Sequence, residues 1–453
     1  MQTRFTDAQL ADPVIADAND ILRSCVHCGF CIATCPTYVV TGDELDSPRG
    51  RIYLIKEMLE EAGASPDAMP RAKTVQHIDN CLSCLSCMTT CPASVNYMHL
   101  VDLARTHIEE TTERPASDRW LRTLIAETVA YPTRFRVAMI AARIMAPVAR
   151  RLPGRLGAMA ALADGPISGK IGAFFGRRIR PGRIYAARGP RRARMALAIG
   201  CAQQVLAPQI NEATVRVLTR HGIEIITVPG AVCCGSLDHH MGRASAARRH
   251  AGAAITAWDN ECRADGLDAI VVNTSGCGTT IKDYGFIYRN DAELAAPAAR
   301  VADLTRDISE VLAGLDLEFD AAGRHQGTAI AYHGHCSLQH GQGITRQPAD
   351  LMRAAGFKVS LPTDAHLCCG SAGSYSLLQP QMAASLRDAK AAALQAGTPD
   401  VVVTGNIGCM SHLAPVLDAP IVHLAEIIDW ATGGPRPVHI PTPSQISLPA
   451  QTR

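Results

Sequence analysis

Sixteen of the seventeen cysteines in this chain fall into repeated spacings, and no other sequence feature constrains the fold as strongly. Eight lie before residue 92, in the runs CVHCGFCIATCP and CLSCLSCMTTCP, which share the spacing C-x2-C-x2-C-x3-C-P. These eight are Cys25, Cys28, Cys31, Cys35, Cys81, Cys84, Cys87 and Cys91. Eight more lie after residue 200 in two sets of four. Cys262 fits neither pattern and is interpreted as a small apolar residue on a helix.

The cysteines are more consistent with metal ligands or redox groups than with disulfide bridges. Their number is odd, and a chain of 453 residues does not need a disulfide framework. The start, MQTRFTDAQLADPVIADAND, lacks the basic region and apolar run of a secretory signal. No window reaches about 18 uninterrupted apolar residues, so no transmembrane helix is expected. We therefore expect a cytoplasmic protein, with peripheral contact at the inner face of the cell membrane as an open option.

The two dense runs have the spacing of bacterial ferredoxins that bind four-iron clusters. Three thiolates two residues apart can reach three corners of a cubic cluster, and in two-cluster ferredoxins the fourth ligand comes from the other run. The sequence therefore predicts two 4Fe-4S clusters, one on Cys25, Cys28, Cys31 and Cys91, the other on Cys81, Cys84, Cys87 and Cys35. The alternative is zinc, which usually takes two separated C-x2-C pairs and fits two intact runs less well.

The second half of the chain contains an internal repeat. Cys201 aligns with Cys336 at a shift of 135 residues, CCGS at 233–236 aligns with CCGS at 368–371 at the same shift, and Cys277 aligns with Cys409 at a shift of 132. Each half reads strand, Cys, helix, Gly, strand, CCGS, helix, strand, Gly-Cys. This pattern predicts a duplicated α/β domain with two similar cysteine sites. Buried structural cysteines would not explain a repeated vicinal pair.

The chemistry of the repeat cysteines stays open at this point. Candidate ligands or redox groups are Cys201, Cys233, Cys234, Cys277, Cys336, Cys368, Cys369 and Cys409. A further iron–sulfur centre in at least one repeat, a thiol or disulfide redox site, and a structural or zinc role are the alternatives. A helix start at each vicinal pair would favour thiolates. The nearby histidines, interpreted by default as ordinary hydrogen-bonded side chains, are His239, His240, His333, His335, His340, His366 and His412.

The predicted fold is multidomain. A mostly α-helical two-cluster ferredoxin domain is followed by a duplicated α/β domain, the CCG repeats, with parallel strands. The predicted parts are a ferredoxin domain at 1–112, a basic and partly helical linker at 113–194, a first CCG repeat at 195–320, a second at 325–435, and a flexible tail at 436–453.

Charge is unevenly distributed along the chain. The net charge is only +2 and aromatics are 4%, so no nucleic-acid partner is expected. Residues 131–194, however, hold 14 Arg and one Lys against the single acidic residue Asp164. This segment is interpreted as a solvated linker, with a membrane-surface helix or a docking strip for an acidic partner as alternatives.

Two adjacent clusters pass single electrons and do not oxidise organic substrates by themselves. A partner cofactor that accepts a hydride and releases electrons singly, such as a flavin, is therefore implied. The chain has no G-x-G-x-x-G turn and no P-loop, so it is not expected to carry a dinucleotide of its own.

The combined motifs resemble a known family. The segments that carry the resemblance are ILRSCVHCGFCIATCPTYVVTGDELDSPRGRIYLIKEMLE, NCLSCLSCMTTCP, GCAQQVLAP, CCGSLDHH, SGCGTTIKDYG, HLCCGSAGSYSLLQP and NIGCMSHL. They resemble the iron–sulfur subunits of flavin-dependent 2-hydroxy-acid oxidoreductases, most closely those of bacterial glycolate oxidases. The resemblance implies that a separate FAD-binding subunit oxidises glycolate to glyoxylate. This chain would receive the electrons on its two 4Fe-4S clusters and pass them towards quinone at the membrane.

The wider family leaves other functions open. It includes heterodisulfide reductase subunits, the iron–sulfur subunit of anaerobic glycerol-3-phosphate dehydrogenase, and lactate-utilisation proteins. In the heterodisulfide-reductase version, the last cysteine of each CCG pattern begins a C-x2-C, whereas Thr280 and His412 occupy those positions here. This departure speaks against a five-cysteine centre. The alternatives are a CCG-centre thiol/disulfide reductase, a subunit of a related lactate or glycerol-3-phosphate dehydrogenase, and a docking platform with structural cysteines.

Overall fold

The computed structural model describes residues 1–64, 69–149, 179–438 and 440. It has a helical amino-terminal part, a first sheet and a second sheet, in that order along the chain. This arrangement confirms the predicted fold class. Among the described residues, no helix combines the length and apolarity needed to cross a membrane.

The amino-terminal part is a set of helices that hold the two cysteine loops. Its helices are α1 (Asp7–Leu10), α2 (Pro13–Ser24), α3 (Pro36–Thr41), α4 (Pro48–Ala64), α5 (Ala72–Asp79), α6 (Ser86–Thr90), α7 (Tyr97–Thr111), α8 (Ala116–Val129) and α9 (Pro132–Ala149). Apolar residues at helical spacing on α2, α4 and α7 form its core, including Leu22, Ile55 and Leu100. Cys25, Cys81 and Cys87 pack against this core, so the helices fix where the loops lie.

The first sheet has five strands in the order β1-β3-β2-β4-β5. Neighbouring strands are parallel except that β1 pairs antiparallel with β3. The strands are β1 (Arg183–Tyr185), β2 (Ala193–Ala198), β3 (Ile223–Thr227), β4 (Ala269–Val272) and β5 (Thr305–Asp307). The helices are α10 (Gln203–Leu206), α11 (Pro208–Arg220), α12 (Ser236–His240), α13 (Ala244–Ala264), α14 (Ser275–Lys282), α15 (Tyr284–Ile287), α16 (Ala295–Leu304) and α17 (Ile308–Ala313). Cys262 lies on α13, as the sequence predicts.

The second sheet repeats this plan. Its strands, all parallel, are β6 (Ala329–Tyr332), β7 (Lys358–Ser360), β8 (Val401–Thr404) and β9 (Ile421–His423). Its helices are α18 (Gln347–Ala354), α19 (Tyr375–Leu378), α20 (Pro380–Gln395), α21 (Ile407–Leu413) and α22 (Leu424–Ala431). A π-helical turn follows β6 (Ser337–Gly341) and a 3-10 turn follows α21 (Ala414–Val416). The order β7-β6-β8-β9 matches β3-β2-β4-β5, which confirms the duplication.

The two repeats share one apolar core. Residues of both sheets, among them Leu197 and Val403, belong to a single cluster of buried side chains. Helix α11 of the first repeat also forms ion pairs with α22 of the second, because Arg216 and Arg220 both contact the buried carboxylate of Asp429, at 2.7 and 3.0 Å. The repeats therefore stabilise each other and do not behave as separate domains.

The segment predicted as a basic linker contains regular structure. Helices α8 and α9 lie in it, and β1 joins the edge of the first sheet although its residues show no apolar alternation. Residues 150–178 of the basic segment lie outside the described residues, as do 439 and 441–453 of the predicted tail. The domain boundaries stay a prediction.

Candidate metal centres

Thiols from both dense runs face one small cavity. Cys25, Cys28 and Cys31 of the first run line it together with Cys91 of the second, and Cys87 also reaches its wall. Burial and the neighbouring Cys25 thiolate raise the pKa of Cys31 to about 11. Without a cation, thiolates this close together disfavour one another, so the donor set suits a positively charged iron core.

The other four thiols of the runs line a second small cavity beside the first. Its wall carries Cys35 from the first run and Cys81, Cys84 and Cys87 from the second. Burial raises the pKa of Cys84 and of Cys87 well above the usual range, and nearby thiolates add to the effect. The hydroxyl of Tyr97 donates to the Cys81 sulfur at 3.8 Å. Each of the two cavities is thus lined by cysteines of both runs, and Cys87 lies between the two cavities.

A matching backbone conformation shapes the two cysteine loops. Two residues after the first cysteine of each run, His27 and Ser83 have φ of +56° and +49°. Two residues further on, Gly29 and Leu85 have φ of +85° and +63°. Alternating left-handed residues turn successive backbone N–H groups to one side, where they form a concave site for anionic sulfur. The Ser83 N–H accordingly donates to the Cys81 sulfur at 3.4 Å.

A buried arginine lies beside the second cavity. The guanidinium of Arg51 reaches the Cys35 sulfur at 3.7 Å, donates to the His77 carbonyl at 2.7 Å and pairs with Asp46 at 3.2 Å. The Nδ1 of His77 contacts the same carboxylate at 2.9 Å. Arg51 therefore places a fixed positive charge where Cys35 needs to be a thiolate.

The repeat cysteines lie beyond the carboxyl ends of the central strands. Cys201 follows β2 and Cys277 lies on α14 after β4; Cys336 and Cys409 hold the equivalent places after β6 and β8. In each sheet the chain order reverses between these two strands. Crevices at such a reversal are where open α/β sheets bind ligands.

The glycine of each CCG motif permits a close approach that any side chain would prevent. Gly235 and Gly370 have φ of +76° and +87°. A Cβ on them would lie 2.8 Å from the Ala247 carbonyl oxygen and 2.6 Å from that of Ala383. These contacts hold the vicinal cysteines against the long helix that follows, α13 in the first repeat and α20 in the second.

The repeat thiols form two compact groups. In the second repeat, the Cys336 and Cys368 sulfurs are 3.8 Å apart, and ligand atoms of Cys369, Cys409 and His333 lie within 4.8 Å of one another. Burial lowers the pKa of His333 well below its usual range, so its imidazole is neutral, the form that binds metals. In the first repeat the thiols pair as Cys201 with Cys233 and Cys234 with Cys277. Both groups are able to hold a metal or to exchange thiol for disulfide.

Thr280 and His412 occupy the positions at which the heterodisulfide-reductase version of the motif has a further cysteine, and both make other contacts. The Thr280 hydroxyl donates to the Ser236 hydroxyl at 2.9 Å. His412 Nε2 donates to the Ala383 carbonyl at 3.2 Å, and burial lowers the His412 pKa to about 4. Neither supplies a sulfur ligand.

All eight repeat cysteines face one large cavity of about 530 Å³. Cys81 also reaches its wall, so this cavity adjoins the second small one. Cys84 packs in one apolar cluster with Cys336 and Cys368, which places the second repeat's thiols beside the ferredoxin loop. The dense runs and the repeats therefore form one connected set of sulfur sites.

The described motifs agree with comparisons to known proteins. Residues 21–95 match the model of a 4Fe-4S dicluster domain, and residues 195–282 and 330–414 match the model of a cysteine-rich domain called CCG. Over 431 residues the chain is 38% identical to the glycolate oxidase iron-sulfur subunit of Escherichia coli (strain K12), an alignment that covers 95% of this chain and 99% of that protein. The chain belongs to this family of iron–sulfur subunits.

Two further relatives extend the family. The probable glycolate oxidase iron-sulfur subunit of Bacillus subtilis (strain 168) is 29% identical over 91% of this chain and 94% of its own length. A fumarate reductase (CoM/CoB) subunit of Methanothermobacter marburgensis is 24% identical over 90% of this chain and 72% of its own length. Family membership confirms two predictions, that the chain carries two 4Fe-4S clusters and that it is the iron–sulfur subunit of an oxidoreductase complex. The individual ligands stay predictions.

Several residues of the site have no signal in the sequence. Arg51 and Tyr97 approach the sulfurs of the second cavity, and Asp102 contacts His239 and His240 at the wall of the large cavity. The two histidines stand out by following CCGS, but their partner lies more than 130 residues earlier. Only the tertiary fold brings these groups together.

Proposed function

We propose that this chain is the electron-transfer subunit of a complex that oxidises glycolate to glyoxylate. Cys25, Cys28, Cys31 and Cys91 would bind one 4Fe-4S cluster, and Cys81, Cys84, Cys87 and Cys35 would bind the other. The observation that carries this proposal is that each of two adjoining cavities is lined by cysteines of both runs. The cavity of Cys25, Cys28 and Cys31 includes Cys91, and the cavity of Cys81, Cys84 and Cys87 includes Cys35. Bound clusters supply transfer of single electrons.

The chain's own residues prepare these sites. Helices α2, α4 and α7 pack against Cys25, Cys81 and Cys87 and bury them. The left-handed residues direct N–H groups at the thiolates, and Arg51 balances charge beside Cys35. The same charges and hydrogen bonds favour added electron density on the sulfurs, which raises the reduction potential of a bound cluster.

We propose an FAD-binding subunit as the electron donor to this chain and quinone as the acceptor. Glycolate oxidation releases a hydride equivalent, which an FAD on a separate subunit would accept and divide into single electrons for this chain. Quinone at the membrane would receive them. The outer face of α9 supports membrane contact, because Val137, Ile144 and Met145 are 64%, 66% and 55% exposed in a segment rich in arginine.

The ligand pairing has a direct test in the complex purified anaerobically with its flavoprotein. Iron, acid-labile sulfide and paramagnetic resonance are measured in two double variants, Cys28→Ser with Cys91→Ser, and Cys28→Ser with Cys35→Ser. We expect the first pair to lose about four irons, since both ligands serve one cluster, and the second pair to lose about eight. Cys262→Ser is the matched control and should keep the full iron content.

The opposite ranking of the two double variants would overturn the crossed assignment, and zinc without sulfide would overturn the iron–sulfur assignment. The same preparation is assayed with glycolate, D-lactate and glycerol 3-phosphate, using ferricyanide as acceptor. The proposed substrate requires that glycolate be turned over with the highest kcat/KM. Turnover of either other substrate in preference to glycolate would replace it.

A further inference from the structure

The large cavity has an apolar side in addition to the side lined by the cysteines. Helices α8 and α9 supply that side of the wall through Leu124, Ile125, Val129, Phe135, Ala138, Met139 and Ala142. A site that binds only inorganic ligands does not require such a large apolar surface. Cavities of this size and lining in proteins commonly hold organic ligands.

Helix α9 separates this cavity from the protein surface. Phe135, Ala138 and Ala142 lie three or four residues apart and face inward. Val137 and Ile144, seven residues apart, lie on the opposite face and are about two-thirds exposed. The helix is therefore apolar on both faces, one towards the cavity and one towards the surroundings. This arrangement suits a ligand that is itself delivered by an apolar phase.

The wall of the cavity also carries a proton-bearing group. The buried carboxylate of Asp102 contacts His239 Nε2 at 3.3 Å and His240 Nδ1 at 3.1 Å. Although burial opposes both shifts, the histidines hold the pKa of Asp102 well below its usual range, and Asp102 raises the pKa of His239. The carboxylate thus orients two imidazoles and favours the protonated form of His239.

This group is joined to the ferredoxin loop by one arginine. Arg105 donates to the Cys81 carbonyl at 2.6 Å and to the Ser83 hydroxyl at 2.6 Å, and it lies 3.6 Å from Asp102. Cys81 and His239 both line the cavity. A proton source and the loop of a candidate electron carrier therefore meet at the same wall.

We propose that this cavity binds the ring of a quinone and that His239 and His240, oriented by Asp102, supply its protons. The inference rests on the proposed function and names the site of its acceptor. Reduction takes up two electrons and two protons and converts both ring carbonyls to hydroxyls. The electrons are those released when the 2-hydroxy acid is oxidised. Each proton leaves the protonated imidazole of His239, which becomes neutral and is protonated again from solvent through the partly exposed His240.

The test uses the complete anaerobic complex with glycolate and two acceptors. A short-chain quinone takes up electrons with protons, whereas ferricyanide takes one electron and no proton. Ala138→Phe places a ring in the cavity and should raise the KM for quinone about tenfold, a change of about 1.4 kcal/mol. Ala141→Phe, the same substitution at an exposed position of the same helix, is the matched control and should leave both assays unchanged.

The proton donor has its own readout. His239→Gln keeps size and polarity but has no titratable proton to give, so we expect the ratio of quinone kcat to ferricyanide kcat to fall about 10²-fold with little change in quinone KM. An unchanged ratio would overturn the proton role. Equal quinone KM values in the Ala138→Phe and Ala141→Phe variants would overturn the site.

Three further outcomes separate a quinone site from a site for a different acceptor and from a failure of the proposed function. If Ala138→Phe spares quinone reduction but blocks reduction of a small organic disulfide, the cavity serves a different acceptor and the inference is wrong. If the unaltered complex reduces neither quinone nor ferricyanide with glycolate, the proposed function fails. If ferricyanide reduction is normal and neither Ala138→Phe nor His239→Gln alters quinone reduction, the cavity is not the quinone site, although the proposed function stands.

Discussion

Replacing Arg51 by methionine should destabilise the ferredoxin loops far more than the same change at Arg49. The two residues lie on one helix and each pairs with a carboxylate, Arg51 with Asp46 and Arg49 with Glu44. The side chains of the first pair are 1% and 4% exposed, whereas those of the second are 34% and 45% exposed. Burial is therefore the main difference between them.

The expected magnitude follows from what each substitution leaves behind. Arg51→Met leaves the Asp46 carboxylate buried with His77 and without its guanidinium, and breaking such a pair costs about 3–5 kcal/mol. Arg49→Met leaves Glu44 in water, where an ion pair contributes about 0–1 kcal/mol. At about 1.4 kcal/mol per factor of ten, local opening should become about 150- to 5,000-fold more frequent in the first variant and at most about fivefold in the second.

Amide hydrogen exchange in the cluster-loaded protein measures this opening directly. The amides of α4, residues 48–64, report on the helix that carries both arginines. Exchange there should accelerate by the larger factor in Arg51→Met only. If both variants exchange at similar rates, the buried ion pair does not stabilise this part of the chain and the reasoning is refuted.

Two other predictions concern the repeats. Burial raises the pKa of Glu426 to about 7, so as pH rises from about 4.3 to about 7 the unfolded chain loses a proton that the native state keeps, and stability falls. Glu426→Gln should remove this loss, worth about 3 kcal/mol, in urea unfolding compared at both ends of that range; an unchanged pH dependence would contradict the assignment. At Gly242, φ is +78° and a Cβ would overlap the Arg105 carbonyl, so Gly242→Ala should speed hydrogen exchange in α7 by more than about tenfold. Gly266→Ala is the control, because φ is +74° there but a Cβ would meet open space, so only backbone strain is added. Equal acceleration of hydrogen exchange in the two variants would exclude the steric contact as the cause.

The sequence predicted those features of the site that depend on short spacings. Ligands two or three residues apart, such as those of the Cys25 run, must be close in any fold, and the repeat of CCGS indicates a second copy of the same local structure. The duplication also predicted that both sheets share one plan, although it did not predict their strand order. Apolar strands such as Val401–Thr404 were also identifiable from their runs of branched residues.

Contacts between distant segments could not be predicted in this way. Asp102 and His239 are in contact only because α7 packs beside the first repeat. No sequence spacing connects the two residues, so their contact could not be predicted. Strand β1 escaped prediction for a different reason. Its exposed Arg183 and Ile184 show no apolar alternation, and its place depends on pairing with β3.

The shared core of the two repeats has a consequence for how such a chain can change over time. Residues of both halves form one buried core, and Asp429 of the second half pairs with two arginines of the first. Deleting either repeat, or replacing it with an unrelated domain, would expose apolar core residues of the other repeat to solvent. A change that disrupts the interior of one repeat therefore also destabilises the other.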